Sequence, residues 1–350
     1  MIPSYNKIHN RFRLNGNTYD FEDLKQVAYS FVKEGLPFEK DLGDFLIDWL
    51  DSKDFILVQT SGSTGQSQQI KLQKQAMVNS AIATGDFFNL KPGDKALHCL
   101  SSNFIAGKMM LIRALILGLE IDVIEPSSTP IFSSKKRYDF AAMLPMQYQN
   151  VINESQNIRI IILGGAPVSE SLKQQILSVS SMVYETYGMT ETITHIAAKN
   201  LSSKQKHFAL LPNVSIATDE RDCLKIDAPM LRKESIQTND IVSILSDTTF
   251  DWLGRYDNVI NSGGVKLFPE QIESILALQI ENRFFVTSEH NKSLGEQLIL
   301  IVEGDEKVDP KLLSGLDRFQ VPKAVYTIPQ FIETGSGKIQ RQKTKALLNL

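Results

Sequence analysis

Apolar residues recur at helical spacing near the start of the chain. Phe21, Leu24, Val27, Ala28, Phe31 and Val32 mark one face, so the first 55 residues read as a helical lead-in. The short apolar run 55–58 reads as a strand that empties into Thr60-Ser61-Gly62-Ser63-Thr64-Gly65. The pattern then predicts a helix over 74–88, ended by the turn Pro92-Gly93-Asp94, a strand over 96–100, and a helix over 105–117 stopped by Gly118. Residues 121–124 read as another strand, and 139–148 as a helical stretch broken at Pro145. Residues 158–163, four isoleucines and a leucine around Arg159, read as a buried strand of the parallel type. That strand stops at Gly164-Gly165-Ala166-Pro167, with Ser169 placed to cap a helix through Leu177, and 183–186 reads as the next strand.

Strands alternating with helices predict an α/β fold with right-handed crossovers. From about Asn200 the pieces become shorter and more β-like. A boundary near Arg255-Tyr256-Asp257 divides the chain into 1–256 and 257–350, and strands at 284–287 and 298–302 suit a small α+β unit in the second part.

Composition narrows the function. The 350 residues are 42% hydrophobic and carry 37 basic against 40 acidic side chains, a net charge of −3, which provides no electrostatic footprint for nucleic acid or an anionic membrane. Two cysteines, Cys99 and Cys223, fit a reducing compartment. The N-terminal residues lack an apolar core of the signal-peptide kind, and no apolar stretch approaches a membrane span, so a cytoplasmic location is expected. Oligomeric state is left open.

Five strings can carry chemistry. The loop Thr60 to Gly65 offers hydroxyls and glycines after a strand, suited to wrapping a phosphate chain, although a Ser/Gly-rich surface turn has the same composition and no Walker pattern is present. Tyr187-Gly188-Met189-Thr190-Glu191-Thr192 sets a carboxylate beside a hydroxyl at a strand end, as Mg²⁺ favours, or is simply a capped turn. Thr238-Asn239-Asp240 precedes the apolar pair Ile241-Val242, where an acidic residue can take a ribose diol or cap a turn. The remaining two are the string from Gly254 to Lys266 and Thr334-Gly335-Ser336-Gly337-Lys338-Ile339.

Together, in this order and over most of the chain, these strings resemble the acyl- and aryl-CoA synthetase family of adenylate-forming enzymes. The resemblance implies a large N-terminal adenylation domain of layered sheets and helices plus a small mobile α+β C-terminal domain. It implies ATP, Mg²⁺ and coenzyme A as cofactors and a small carboxylic acid as substrate, activated as an acyl-adenylate and passed to the thiol. Thr60, Ser61, Gly62, Ser63, Thr64 and Gly65 then match the phosphate loop, and Gly164, Gly165 and Ala166 the turn against adenine. Tyr187 and Gly188 bring a ring to adenine, Thr190 meets phosphate and Glu191 the metal, with Asp240 and Arg255 on the ribose. Lys338 matches the adenylation lysine, Asp257 the hinge, and Gly263, Gly264 and Lys266 the segment presented for the thiol step. Three features depart from the family. Ser67 and Gln68 stand where its loop continues Pro-Lys, leaving Lys71 and Lys74 as candidates for the missing charge; Asn239 stands where it prefers Gly; and the chain is short.

The segment 101–113 and residues 192–197 resemble the branch that activates o-succinylbenzoate in menaquinone synthesis. That substrate implies apolar walls and one anchor for the carboxylate that does not react. Lys108 and Arg113, five apart and so not on one helix face, are the candidate anchors, with Thr192 and His195 as further pocket candidates. A ligase for another aryl or acyl acid, and a degenerate adenylate-binding protein, are the alternatives.

Overall fold

The computed structural model describes residues 2–60, 68–203, 205–305, 309–333 and 339–348. A two-residue strand, Arg13–Leu14 (β1), precedes two helices, Phe21–Glu34 (α1) and Pro37–Leu50 (α2). Asp20 starts α1 because its carboxylate accepts the free N–H groups of Glu22 and Asp23. Phe55–Thr60 (β2) and Gln68–Gln73 (β3) then pair as an antiparallel ribbon.

Helices and strands alternate next: Lys74–Phe88 (α3), Lys95–His98 (β4), Ile105–Leu117 (α4), Glu120–Val123 (β5), Tyr138–Met143 (β6), Pro145–Asn150 (α5), Ile158–Leu163 (β7), Glu170–Ile176 (α6) and Met182–Gly188 (β8). The strands that follow are His195–Asn200 (β9), Phe208–Leu210 (β10), Ser215–Thr218 (β11), Cys223–Asp227 (β12), Ile236–Ser246 (β13) and Thr249–Arg255 (β14). Among the described residues these build one sheet in the order β1-β5-β4-β6-β7-β8-β9-β10-β14-β13-β12-β11. Pairing is parallel from β1 to β8 and antiparallel from β8 to β11.

The parallel half is buried on both faces. Phe140, Ile160 and Ile162 pack with Met77, Met109 and Ile112 of α3 and α4, while Ala141, Ile161 and Leu163 pack with Tyr148, Leu172 and Ile176 of α5 and α6. Successive residues of one strand therefore enter opposite cores. Each fully buried isoleucine or leucine contributes roughly 1.5–3 kcal/mol.

Two expectations are corrected. Residues 139–148 are not one helix: β6 occupies 138–143 and Pro145 starts α5 as its first residue. A strand buried on both faces lacks the polar alternation that distinguishes it from a helix, and proline is at home in a first helical turn. Thr238-Asn239-Asp240 also does not precede a strand but lies inside the eleven-residue β13.

A second sheet uses Ile260–Ser262 (β15), Val265–Leu267 (β16), Phe284–Asn291 (β17), Gly295–Glu303 (β18) and Ala324–Ile328 (β19), with helices Pro269–Leu276 (α7) and Arg341–Ala346 (α8). Ile272 and Leu276 of α7 pack on Leu298, Leu300 and Val302, and Phe331 covers Phe285, Ile299 and Ile301 on the other face. The short 3₁₀ turn Tyr256–Asn258 joins the two sheets. Among the described residues no helix is long and apolar enough to cross a membrane.

Candidate active site

The carboxyl ends of β7 and β8 open where the sheet changes from parallel to antiparallel, the usual place for a ligand crevice in such sheets. After β7 the chain turns at Gly164-Gly165-Ala166; Gly165 has φ +80°, and Gly165 and Ala166 are exposed. A Cβ on Gly164 would stand 2.7 Å from Thr186 Oγ1, so this turn lies flush against the neighbouring strand end. Beside it, Tyr187 and Gly188 finish β8.

The Tyr187 ring meets Phe208 and Phe250 edge-on, at centroid distances of 6.1 and 5.4 Å. Its hydroxyl reaches Asp240 Oδ2 at 2.6 Å. Burial above all, and then the neighbouring Asp240 charge, push the phenol far up, so it remains a donor. Asp240 pairs directly across β13 and β14 with Arg255, whose Nη1 lies 3.5 Å from Asp240 Oδ1 and whose Nη2 lies 3.6 Å from Asp257 Oδ2. The turn after β7, the Tyr187 ring, Asp240 and Arg255 thus lie together.

After β8 the chain makes a tight 3₁₀ turn, Thr190–Thr192. Ile193 then takes φ +68° and ψ −55°, and Thr194 N–H returns to the Thr192 carbonyl at 2.7 Å, a three-residue γ-turn of the strained hand. Such a conformation costs about 1–3 kcal/mol. Ile193 is buried in the main core, and that burial offsets the strain while fixing the turn that carries Glu191. Thr190 and Glu191 are half-buried. One carboxylate and one hydroxyl fit a magnesium ion that takes its other ligands from phosphate and water.

The four acid-pocket candidates separate. Arg113 is fully buried, with Nη2 3.1 Å from Thr194 Oγ1 and Nε 3.4 Å from Thr84 Oγ1, and no carboxylate among the described residues pairs with it. Burial pushes its pKa down to about 9, leaving it cationic near neutrality. His195 is its neighbour: Nδ1 lies 3.3 Å from Thr194 Oγ1, Nε2 is buried without a partner, and burial followed by the Arg113 charge holds it well below the usual histidine range. His195 also borders a cavity of about 50 Å³ shared with Ser80, Ala83, Leu211 and Leu231.

Lys108 lies elsewhere. It donates to the Ser102 carbonyl and sits 5.0 Å from the Phe45 ring of α2, so it faces the lead-in helices. Thr192 is internally committed: its hydroxyl accepts from Met189 N–H at 3.0 Å and lies 2.9 and 2.7 Å from the Met189 and Thr194 carbonyls, so it builds the turn. Lys74 cannot supply phosphate charge, because it is buried against Asp51 at 2.7 Å. Lys71 sits 3.8 Å from the Phe55 ring centre.

Thr60 ends β2, whereas Ser61, Gly62, Ser63, Thr64, Gly65 and Lys338 lie outside the described residues. Gly263 and Gly264, at φ +57° and +86°, form the tip of the β15–β16 hairpin, and Lys266 on it pairs with Asp222 at 3.3 Å. Sequence reasoning missed Thr84 and Arg221, which are single polar residues without a motif. It also missed Phe208 and Phe250, which reach Tyr187 only through the curl of the sheet.

The family of AMP-binding enzymes matches residues 18–219. The chain is 34% identical to an acyl-CoA synthetase (AMP-forming)/AMP-acid ligase II-like protein from Dyadobacter fermentans, covering 93% of this chain and 98% of that one with a TM-score of 0.62. It is 26% identical over 315 residues to a 2-succinylbenzoate–CoA ligase of Haemophilus influenzae, covering 81% of this chain and 68% of that protein. In fold it is similar to the o-succinylbenzoate CoA synthetase of Bacillus subtilis, solved with its acyl-adenylate intermediate, at TM-score 0.71 and 18% identity over 83% of this chain and 68% of that one. The reversal of the sheet at β8 and the family match agree: the chain belongs to the AMP-binding enzyme family of adenylate-forming acid–CoA ligases.

Proposed function

We propose that this chain is an o-succinylbenzoate–CoA ligase, forming the acyl-adenylate from ATP and then the thioester with coenzyme A in menaquinone synthesis. The observation that carries the acid assignment is Arg113, a buried guanidinium whose hydrogen-bond partners among the described residues are two threonine hydroxyls. A buried cation without a counter-charge is costly, and an incoming carboxylate supplies the missing partner. Met109 and Met110, one turn before it on α4, and Phe88 and Ile193 belong to the apolar core that would wall the acid. A substrate with two carboxylates suits this arrangement, one anchored and one left to react.

In this reading Asp240 and Arg255 hold the ribose, Tyr187 and the turn Gly164 to Ala166 hold adenine, and Thr60 to Gly65 wrap the phosphates. Glu191 and Thr190 would hold Mg²⁺, which screens phosphate charge when bound. Lys338 places a point charge on the α-phosphate oxygens where negative charge grows during attack by the carboxylate. Residues 1–256 form the adenylation domain and 257–350 a smaller domain that turns about Asp257, exchanging Lys338 for the Gly263–Gly264 hairpin between half-reactions.

The deciding assay measures pyrophosphate release and thioester formation with o-succinylbenzoate against benzoate and fatty acids. Preference for o-succinylbenzoate by tenfold or more in kcat/KM is expected. Preference for a monoacid would assign another acid–CoA ligase. Absence of release across a broad panel would favour a nucleotide-binding relic, the reading to which Gln68 in place of the loop lysine points. Lys338→Ala should abolish adenylate formation yet spare thioester formation from supplied adenylate.

A further inference from the structure

Asn239 departs from its family's glycine, and the structure provides its side chain with two partners outside the nucleotide crevice. Its Oδ1 accepts from Arg221 Nη1 at 3.2 Å, and its Nδ2 donates to Asp257 Oδ2 at 3.3 Å. Arg221 reaches this point from the β11–β12 turn. Asp219 Oδ2 grips its Nε and Nη2 at 3.0 and 2.7 Å, Nη2 also donates to the Thr238 carbonyl at 3.3 Å, and the guanidinium lies 5.0 Å from the centre of the Tyr256 ring. The next residue, Asp222, adopts φ +65° and pairs with Lys266 on the β15–β16 hairpin. One turn at the edge of the large sheet therefore holds both the connection Tyr256–Asn258 and the hairpin beyond it.

We propose that this turn is a latch on the second half-reaction, with Arg221 a positioning residue that acts through Asn239 and Tyr256 on Asp257. Together with the Asp222–Lys266 pair it retains the orientation in which Lys266 of the Gly263–Gly264 hairpin meets the turn just before β12. The inference rests on the hinge reading of Asp257 given above. The contacts are of the right strength for a bias: Arg221, Asp222 and Lys266 are substantially exposed, so their pairs are screened and individually weak. Two or three such contacts shift a two-state balance several-fold without freezing it, as a domain that must move twice per turnover requires. A glycine at position 239 would leave the Tyr256 contact as the remaining link from Arg221 to Asp257 among the described residues.

The test uses Arg221→Ala and Asn239→Gly in the full chain, measuring the half-reactions separately with o-succinylbenzoate. Pyrophosphate release reports adenylation, and CoA consumption from supplied o-succinylbenzoyl-adenylate reports thioester formation. Both variants should slow thioester formation about fivefold, as loss of one hydrogen bond at this exposure implies, while adenylation holds or rises. The double variant should be no slower than the worse single variant, because both cut the same link. Equal loss in both half-reactions, additive losses, or no change in their ratio would overturn the latch alone. If the unaltered chain releases no pyrophosphate, the ligase reading falls and the latch falls with it.

Discussion

The Tyr187 hydroxyl donates to Asp240 Oδ2 at 2.6 Å although four strand steps separate β8 from β13 in the sheet order. On a flat sheet that separation would be about 19 Å. The antiparallel half therefore curls back on itself, with Phe208 and Phe250 packed inside the curl against the Tyr187 ring. The bond aims the Asp240 carboxylate, with Arg255 on its other oxygen. Tyr187→Phe should raise KM for ATP about tenfold, the loss expected of a hydrogen bond to a charged acceptor, while Asp240→Ala should cost more than a hundredfold in kcat/KM. Acid-dependent pyrophosphate exchange measures both. Equal, small effects of the two substitutions would remove Asp240 from the ribose site.

Arg113 sets function against stability. Replacing a buried, unpaired cation by an apolar chain of similar length is neutral or stabilising, so Arg113→Met should raise the melting midpoint by about 2–4 °C. The same substitution should abolish discrimination for o-succinylbenzoate over acids lacking a second carboxylate. A lower midpoint with selectivity intact would make Arg113 a structural residue.

Gly188 has no room for a side chain. A Cβ there would lie 2.3 Å from the Thr194 carbonyl oxygen and 2.5 Å from His195 Cα, both parts of the backbone. Gly188→Ala should cost about 1–3 kcal/mol of stability and displace the Glu191 turn, suppressing adenylation at temperatures where the fold survives. Denaturant midpoints and pyrophosphate release, measured together, separate the two effects.

Acid should weaken the fold through His98. Burial alone holds this ring down to about 4, with Nδ1 unpartnered and Nε2 3.3 Å from Ser102 Oγ. Its folded pKa lies below its unfolded value of 6.5, so the unfolded chain binds the proton first as pH falls. Stability from this group is complete above pH 6.5 and declines toward pH 4, by about 3 kcal/mol in all. His195, also held below the usual histidine range by burial and then by the Arg113 charge, adds to the same slope. Urea midpoints between pH 7 and pH 4.5 should fall steadily, and His98→Gln should flatten the curve; an unchanged slope in that variant would reassign the effect.

Much of the site was legible because its parts are contiguous strings. Gly164 to Ala166, Tyr187 to Glu191 and the Gly263–Gly264 tip each fall at a strand end or hairpin turn where backbone geometry demands small or left-handed residues. Lys108 against Arg113 was not legible. Spacing places them on different faces of α4 but cannot say which face looks inward, and the outcome depends on Phe45 of α2 covering one side and Thr84 and Thr194 closing on the other. Thr192 likewise looked free until the γ-turn at Ile193 brought the Thr194 carbonyl onto its hydroxyl.

By itself the sequence determined most of the alternation of strands and helices before residue 200, β6 apart, the buried character of β7, and the chemical types gathered at each loop, because apolar periodicity and backbone-permissive residues act locally. Only the tertiary structure decided that Tyr187 meets Asp240, that Arg113 is buried without a counter-charge among the described residues, and that Arg221 and Asn239 reach the connection at Asp257. Those relations span many residues of chain, and they follow from the curl of the sheet and the packing of α3 and α4 upon it, which no local pattern encodes.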